Sequence, residues 1–375
     1  MSFSQDVKDF ALDIGYSAVG ITTAESFTDH IEEVQSRGRK YDFYVDDPRQ
    51  FMLGAEPMRA MPKARSIISV AWDYWTRGFP EQLVGKIGRI YQARCYNAPF
   101  HRINGARFKL MVDFLERNGL KVGKGFFVPE RRTAARAGVT SFGKNNFAYL
   151  KKTGSFILLC SFVIDREMEY DAPNYRIKCP KDCQACQDAC PTGAIYEPLK
   201  LDPRRCLSFN AWWTQDGRPH VTSNIPAEIR MKMETRVHGC DLCQEACPLN
   251  AAKLKARLPE DPFLTRLAAE FSLTKMLEMP QDYYERIIQP IMYNYINDPK
   301  YFQRNAAIAL GNSGDPEHIP ALTRALNGPE ELVRGYAAWA LGRIGGSKAK
   351  QSLESARNRE VSSFAKAEIM AALAS

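Results

Sequence analysis

The chain lacks any long apolar run. No stretch of its 375 residues approaches the roughly 20 consecutive apolar residues that a membrane-spanning helix needs. The first segment, MSFSQDVKDFALDIGYSAVGI, is interrupted by acidic residues, which is typical of an amphipathic helix followed by a strand and not of a secretory signal peptide. We therefore expect a cytoplasmic globular protein with no membrane partner.

Concentrated basic tracts are also missing. The 51 lysine and arginine residues exceed the 43 acidic residues, which gives a net charge of +8. This excess favours anionic partners, but it is spread along the chain and not gathered into the basic runs of a dedicated nucleic-acid-binding protein. The composition therefore permits RNA binding without establishing it.

Cysteine, by contrast, is abundant and clustered. Eight of the ten cysteines lie between residues 179 and 247. Because cytoplasmic thiols stay reduced, such a group predicts metal binding more readily than disulfide bonds. The other two, Cys95 and Cys160, stand in helix-like and strand-like segments, and we interpret them as core packing residues.

The cysteine spacing distinguishes between kinds of metal site. The first group reads C-x3-C-x2-C-x3-C-P from residue 179, the second reads C-x2-C-x3-C-P from residue 240, and Cys206 stands between them. Structural zinc favours two CxxC pairs, whereas the x3-Cys-Pro ending is that of bacterial ferredoxins, whose fourth cysteine binds the other cluster. We predict two 4Fe–4S clusters, with zinc or a single cluster as the alternatives.

The ferredoxin crossover divides the eight cysteines into two sets of four. The first cysteine set comprises Cys179, Cys183, Cys186 and Cys247, and the second cysteine set comprises Cys190, Cys206, Cys240 and Cys243. One departure is visible, because three residues separate Cys179 from Cys183 where ferredoxins have two. Either the loop bulges by one residue or Cys179 is a less secure ligand.

The rest of the chain divides into two further regions. Two apolar, β-branched segments, 64–74 and 155–165, predict buried strands, and the pattern over 101–122 predicts a helix that stops at Asn118-Gly119. From about residue 300 an alanine-rich pattern repeats, with Leu310, Leu341 and Leu373 in equivalent places. Such periods are typical of HEAT-like helical pairs, which either present a surface to a partner or cap the preceding domain.

Several segments, taken in order, resemble the epoxyqueuosine reductases, which are cobalamin-dependent iron–sulfur enzymes of tRNA queuosine synthesis and are similar to reductive dehalogenases. These segments are DPRQFMLGAEPMRAMPKARSIISVAWDY, VPERRTAARAGVTSFGKNNFAYL, the two cysteine groups with RRCLSF, and RNAAIALGNSGD. The resemblance implies an α+β protein with a reductive-dehalogenase-like α/β cobalamin-binding domain over 1–170, a ferredoxin-like double 4Fe–4S domain over 171–255, and an all-α domain of HEAT-like repeats over 256–375.

The resemblance also implies cofactors and partners. It implies two 4Fe–4S clusters and base-off cobalamin, a tRNA anticodon stem-loop as substrate, and an external low-potential electron donor such as a flavodoxin or ferredoxin. By motif position, the residues that contact cobalamin are expected to be Arg49, Arg131, Lys144, Asn145 and Ser208. For each of them a purely structural role is the alternative.

The proton donor is where the chain departs from the family pattern. Family members place an aspartate six residues before the position of Glu130, but Lys124 stands there, and no aspartate lies between Asp113 and Asp165. A desolvated lysine can donate a proton, as can His101, which a family motif retains. We expect His101 and Lys124 to be the candidates, although Lys124 has the alternative of an ordinary surface residue and His101 that of a core histidine.

Because the changes lie on the substrate side, two other functions stay open. One is a dehalogenase-like or other reductase of carbon–heteroatom bonds in a small molecule. The other is an electron-transfer or corrinoid-handling protein with no substrate of its own. Basic residues of the repeat region could approach nucleic-acid phosphates or could simply face water; they are Arg324, Arg334, Arg343, Lys348 and Lys350.

Overall fold

A computed structural model describes residues 2–94, 103–292, 296 and 298–374. Its strands are β1 (Ala18–Thr23), β2 (Ser66–Asp73), β3 (Ser141–Phe142), β4 (Ala148–Tyr149), β5 (Ile157–Ile164), β6 (Ile195–Glu197) and β7 (Lys200–Leu201). Its helices before residue 256 are α1 (Phe3–Asp13), α2 (Thr28–Ser36), α3 (Asp42–Val45), α4 (Phe51–Gly54), α5 (Pro57–Ala60), α6 (Ile103–Arg117), α7 (Glu130–Arg136), α8 (Ala185–Asp188), α9 (Leu207–Trp212), α10 (Ala227–Lys232), α11 (Leu242–Glu245) and α12 (Ala251–Lys255). The later helices are α13 (Pro262–Ala268), α14 (Leu273–Glu278), α15 (Gln289–Met292), α16 (Lys300–Ser313), α17 (Ile319–Leu326), α18 (Glu331–Ile344), α19 (Gly346–Arg357) and α20 (Ser363–Ala374).

A three-stranded antiparallel sheet in the order β1-β2-β5 forms the centre of the N-terminal region. The two strands predicted over 64–74 and 155–165 are its β2 and β5, and they pair along their whole lengths. Ile68, Val70 and Phe162 point to one face, where they pack against α1 and α6. Ala71 and Ile157 point to the other face and pack against α7. The helix predicted over 101–122 is α6, which ends at Arg117 just before Asn118.

Helix α7 lies very close to strand β1 because Gly20 has no side chain. A Cβ atom at Gly20 would lie 2.1 Å from the carbonyl oxygen of Ala137, at the end of α7. Only glycine allows so close an approach of two backbones. This contact fixes the starting point of the segment that follows α7, a short hairpin of β3 and β4.

The region that carries the cysteines is built from short elements. Helices α8 and α11 each contain the second cysteine of a CxxC pair, Cys186 and Cys243, and pack against each other. In both, the backbone N–H of the last cysteine, Cys190 or Cys247, donates to the carbonyl of the residue three positions earlier. Because a proline then stops the helix, the two cysteine groups have matching local structures.

The C-terminal helices stack on one another and share a single apolar core with the cysteine region. Helix α16 packs against α18, and α18 packs against α20. Leu310 and Leu341, the equivalent residues of the first two repeats, are both buried in this core. With the sheet region before it, this stack confirms the predicted α+β class.

Two polar side chains at the start of α16 fasten the repeats to the cysteine region. Arg304 is fully buried, and its guanidinium donates to the carbonyl oxygens of Thr214 at 2.6 Å and Ser223 at 2.8 Å. The amide of Asn305, also fully buried, donates to the carbonyls of Ala211 at 2.7 Å and Val237 at 2.8 Å. One helix therefore holds the chain both after Cys206 and before Cys240.

Of the two cysteines outside the clustered group, one lies within the described residues. Cys160 lies in β5 on the face that packs against α1 and α6, as expected of a packing residue, whereas Cys95 lies outside the described residues. Within the described part of the chain, no helix combines the length and the apolar character needed to cross a bilayer.

Candidate electron-transfer site

The hairpin of β3 and β4 carries the segment Gly143–Phe147 at its tip. The N–H of Gly143 donates to the carbonyl of Phe147, and that of Asn146 donates back to the carbonyl of Gly143, which closes a tight turn. The chain just before Cys179 runs alongside β3, since the N–H of Lys178 donates to the carbonyl of Phe142. This pairing brings Lys144 and Asn145 next to the first cysteines.

The structure gathers the first cysteine set around one pocket. The four members of the set line this pocket together with Lys144, Asn145, Tyr149, Ala185 and Pro248. Cys186 and Cys247 are buried, while Cys179 and Cys183 are partly exposed. Cys247 therefore comes from the second sequence group to join three thiols of the first.

The second cysteine set is also close together, as the mutual influence of its thiols shows. Burial raises the pKa of Cys240 to about 12, and the neighbouring Cys206 adds to the rise. Burial likewise raises the pKa of Cys243, with further contributions from Cys206, Cys240 and Cys190. For Cys186 the contributing thiols are instead those of the first set.

The arrangement suits clusters better than a single ion. A structural zinc needs four ligands about 2.3 Å from one point when they are thiolates. Across the described ranges, no three His, Cys, Asp or Glu side chains converge in that way. The thiols surround a pocket instead of a point, which is the donor set that a 4Fe–4S cluster needs.

Despite the extra residue between Cys179 and Cys183, the Cys179 side chain lies at the same pocket as the other three cysteines of its set. Its sulfur lines the pocket and accepts a hydrogen bond from the backbone N–H of Lys144 at 3.3 Å. Residues 180–183, which we call the cluster loop, take up the additional length. The assignment of the eight ligands stays a prediction, and these contacts support it.

Lys144 and Asn145 lie at the cysteines, with all their polar side-chain atoms in use. The ammonium of Lys144 donates to three carbonyls of the cluster loop, those of Pro180 at 3.1 Å, Lys181 at 2.5 Å and Cys183 at 3.0 Å. The amide nitrogen of Asn145 donates to Tyr149 Oη at 2.9 Å and to the carbonyl of Cys243 at 3.3 Å. Both side chains therefore organise the cysteine region.

Tyr149 is a site residue that sequence reasoning missed. Its hydroxyl lies 3.1 Å from Cys247 Sγ, and the side chain is 2% exposed. Burial and the neighbouring thiol raise its pKa, so the hydroxyl keeps its proton and acts as a donor. The only signal in the sequence was its place in the quoted segment, four residues after Asn145.

Arg49 and Ser208 lie at an apolar, largely aromatic cluster beside Cys206. We call it the aromatic cluster, and its members are Phe43, Tyr44, Phe51, Phe209, Trp212, Trp213 and Val221. Arg49 forms a two-point ion pair with Asp47, at 2.8 and 2.9 Å, and its guanidinium stacks on Trp213. Ser208 is partly buried in α9, in the same turn as Phe209. Arg131 donates to the carbonyl of Asn146 at 2.5 Å, at the hairpin tip.

This aromatic cluster has the chemistry that a corrin ring would use. A corrin offers a flat apolar face fringed with amides, so it needs apolar surface and hydrogen-bond donors. Trp213 is buried within the cluster, and its Nε1–H has no hydrogen-bond partner among the described residues. Buried donors are normally paired, so an unsatisfied one suits a ligand acceptor.

Of the two predicted proton donors, Lys124 lies within the described residues. His101 lies outside the described residues. Lys124 is on the surface, with 71% of its side chain exposed and its ammonium 2.9 Å from Glu116 Oε1. Its role as a donor stays a prediction.

The basic residues of the repeat region are partly occupied by acidic neighbours. Arg324 pairs with Glu278, and Arg334 forms a two-point pair with Glu360 at 2.7 and 2.8 Å. Both guanidinium groups therefore already have acidic partners within the protein. This favours ordinary surface residues over residues that bind nucleic-acid phosphates.

Comparison with known proteins agrees with this architecture. Residues 178–250 match the family model of the 4Fe-4S double cluster binding domain, and residues 290–374 match that of HEAT repeats. The fold and the cysteine site therefore define a two-cluster iron–sulfur protein with a HEAT-repeat C-terminus. The domain limits at 170 and 255 themselves stay predictions.

The particular relatives are the epoxyqueuosine reductases. The chain is 29% identical to epoxyqueuosine reductase of Bacillus subtilis (strain 168), over 97% of this chain and 94% of that one, and 27% identical to that of Escherichia coli (strain K12), over 90% and 88%. A solved epoxyqueuosine reductase with an epoxyqueuosine-modified tRNA-Tyr stem loop superposes with a TM-score of 0.82 at 27% identity, over 99% of this chain and 97% of that one. Another, from Bacillus subtilis with its catalytic loop swung out of the active site, gives 0.80 at 28%, over 99% and 98%. The chain is a divergent relative of the epoxyqueuosine reductases along nearly its whole length, which confirms the resemblance.

Proposed function

We propose that this protein is an oxidoreductase that reduces epoxyqueuosine to queuosine in tRNA, using two 4Fe–4S clusters and cobalamin, in the cytoplasm. The observation that carries the proposal is the pocket formed by the first cysteine set, in a chain related end to end to epoxyqueuosine reductases. The stem loop bound in a related structure supports tRNA as the substrate.

Each part of the site then has a task. When bound, the clusters supply low-potential electron transfer and cobalamin supplies a reducing cobalt centre. The cysteines hold the clusters, and Lys144 fixes the cluster loop through three carbonyls. The aromatic cluster around Trp213 would hold the corrin, with the Trp213 Nε1–H as a hydrogen-bond donor to it.

Electrons have to enter from an external donor. Thiols of both cysteine sets are partly exposed, so we place the entry at the first cysteine set because of the charge around it. Lys178 and Lys181, which flank this opening, are exposed and positively charged. Complementary charge steers an acidic carrier to such a surface, and a flavodoxin or ferredoxin fits this description.

His101 and Lys124 remain our proposed proton donors. In the present conformation the Lys124 ammonium faces solvent and Glu116. A donor role for it needs the loop before α7 to move, as the corresponding loop does in a related enzyme. Loss of turnover in Lys124→Met with unchanged cofactor content would support Lys124 as the proton donor. Normal turnover would exclude Lys124 and leave His101 as the candidate donor.

The test is an anaerobic turnover assay. Reconstituted protein should bind about eight iron atoms and cobalamin. With reduced methyl viologen it should convert an epoxyqueuosine-containing stem-loop RNA to the queuosine form, as detected by mass spectrometry of the nucleosides. Cys247→Ser should lose iron and turnover together. Colourless protein that binds zinc, or loaded protein that leaves the RNA unchanged, would contradict the proposal.

One observation favours a second candidate, the reduction of a carbon–heteroatom bond in a small molecule. Lys124 replaces the aspartate of the family pattern and lies exposed, so the tRNA chemistry loses its expected acid. Halogenated and epoxide compounds offered in the same assay would distinguish the two functions. Oxidation of the reduced clusters by a protein acceptor, with no substrate turned over, would instead indicate an electron carrier.

A further inference from the structure

The Tyr149 hydroxyl donates directly to a sulfur of the first cysteine set. Its Oη lies 3.1 Å from Cys247 Sγ, inside the protein, where Tyr149 is 2% and Cys247 7% exposed. A second donor, the backbone N–H of Lys144, reaches Cys179 Sγ at 3.3 Å on the other side of the pocket. Only the tyrosine contact is made by a side chain and can be removed by substitution.

The position of this hydroxyl is determined by the surrounding structure. Asn145 donates to it at 2.9 Å, which leaves the hydroxyl proton free to point at Cys247. The same Asn145 nitrogen holds the carbonyl of Cys243 at 3.3 Å, so the pair is tied to the second cysteine set as well. A Cβ atom at Gly143 would lie 2.3 Å from the tyrosine ring, so the ring can lie there only because residue 143 is glycine.

Hydrogen bonds to cluster sulfurs are one of the ways in which a protein sets the reduction potential. Reduction adds an electron to the cluster and makes its sulfurs more negative, so a donor stabilises the reduced state more than the oxidised one. The effect is strong at a site that is buried and poorly screened by water.

We propose that Tyr149, oriented by Asn145, raises the reduction potential of the cluster held by the first cysteine set. The step is a one-electron reduction of the cluster from the 2+ to the 1+ state. The electron comes from the external reductant, and the hydroxyl proton stays on Tyr149. This inference rests on the proposed clusters and does not depend on the identity of the substrate.

The test compares Tyr149→Phe with the unmodified protein in an anaerobic potentiometric titration followed by electron paramagnetic resonance. One of the two cluster midpoints should move to a more negative potential, while the other stays in place. We expect roughly a tenfold change in the equilibrium constant, which is about 59 mV for a one-electron couple. Tyr283→Phe is the matched control, because Tyr283 is equally buried and bonds only to residues of the helical region.

The outcomes separate this inference from the proposed function. Iron-free unmodified protein would overturn both. Fully loaded Tyr149→Phe with two unchanged midpoints, or an equal shift in Tyr283→Phe, would overturn the role of Tyr149 alone. If Tyr149→Phe does not assemble, Asn145→Ala decides, since it should move one of the two midpoints to a more negative potential, and no shift would refute the inference.

Discussion

Glu130 is a carboxyl group largely enclosed between the start of α7 and the central sheet. Ser161 in β5 donates to it at 2.6 Å. Its low-dielectric surroundings raise its pKa to about 7, from an ordinary value of 4.5. The folded protein therefore binds this proton more tightly than the unfolded chain does, and the fold loses stability as the pH rises between these two values.

From this we predict that Glu130→Gln will reduce the pH dependence of stability. The unmodified protein should lose on the order of 1 kcal/mol of unfolding free energy between pH 6 and pH 8 through this group. In Glu130→Gln that loss should be absent, because the amide does not ionise. Urea denaturation at the two pH values measures the difference, and equal slopes for the two proteins would contradict the assignment.

A second prediction concerns Lys144, whose ammonium holds the cluster loop. In Lys144→Met three carbonyls lose a charged donor, so the loop should open more often. We expect iron to be lost to a chelator several-fold faster, as followed by absorbance under anaerobic conditions. Lys151→Met is the control, since Lys151 is exposed and follows the hairpin closely in the sequence. Equal rates in the two variants would show that Lys144 does not hold the loop.

The sequence identified which residues lie at the site better than what they do. Lys144 and Asn145 were predicted to contact cobalamin, which stays a prediction, and both side chains line the pocket of the first cysteine set. Their polar atoms nevertheless bind backbone carbonyls of the cysteine region, because long-range partners such as Cys243 become neighbours only after folding. Tyr149 was overlooked for the same reason, since nothing in its neighbourhood in the sequence points to Cys247.

At the scale of elements, the buried side chains of Arg304 and Asn305 in α16 join the repeats to the cysteine region, and we call this contact the clasp. We predict that Asn305→Ala will destabilise the protein, because two buried carbonyls, those of Ala211 and Val237, lose their donor. Unsatisfied buried groups cost about 1–3 kcal/mol each. Chemical denaturation should therefore show a clear loss. The exposed Asn327, which donates to the carbonyl of Thr323 and accepts from Arg359 at the surface, should tolerate the same change. A similar stability for both variants would contradict this role.

The elements themselves could be read from the sequence where local pattern decides them. Strands β2 and β5 and helix α6 lie where apolar spacing and the Asn118-Gly119 stop predict them. The antiparallel order of the sheet could not be predicted, because pairing of Ile68 with both Ile21 and Phe162 depends on contacts across most of a domain. The close approach at Gly20 likewise has no local signature.

At the scale of the whole molecule, stability is divided unevenly. Helices α16 and α18 belong to a large apolar core that residues 207–237 share, whereas α8 and α11, at the cysteines, are short and flank the thiols that a cluster would bridge. We predict that anaerobic removal of iron will speed amide hydrogen exchange over 179–190 and 240–247 far more than over 303–341, because metal binding is coupled to local folding. Mass spectrometry of the exchanged peptides measures this, and uniform acceleration along the chain would contradict it.

The crossing of the cysteine sets has a consequence for how the protein is made in the cell. A ribosome releases Cys179, Cys183 and Cys186 well before Cys247, so the pocket that all four line is incomplete for much of translation. The clasp at Arg304 and Asn305 emerges later still. Delivery of iron and sulfide to the nascent chain is therefore expected to finish only near the end of synthesis, and the early thiols need protection from oxidation until then.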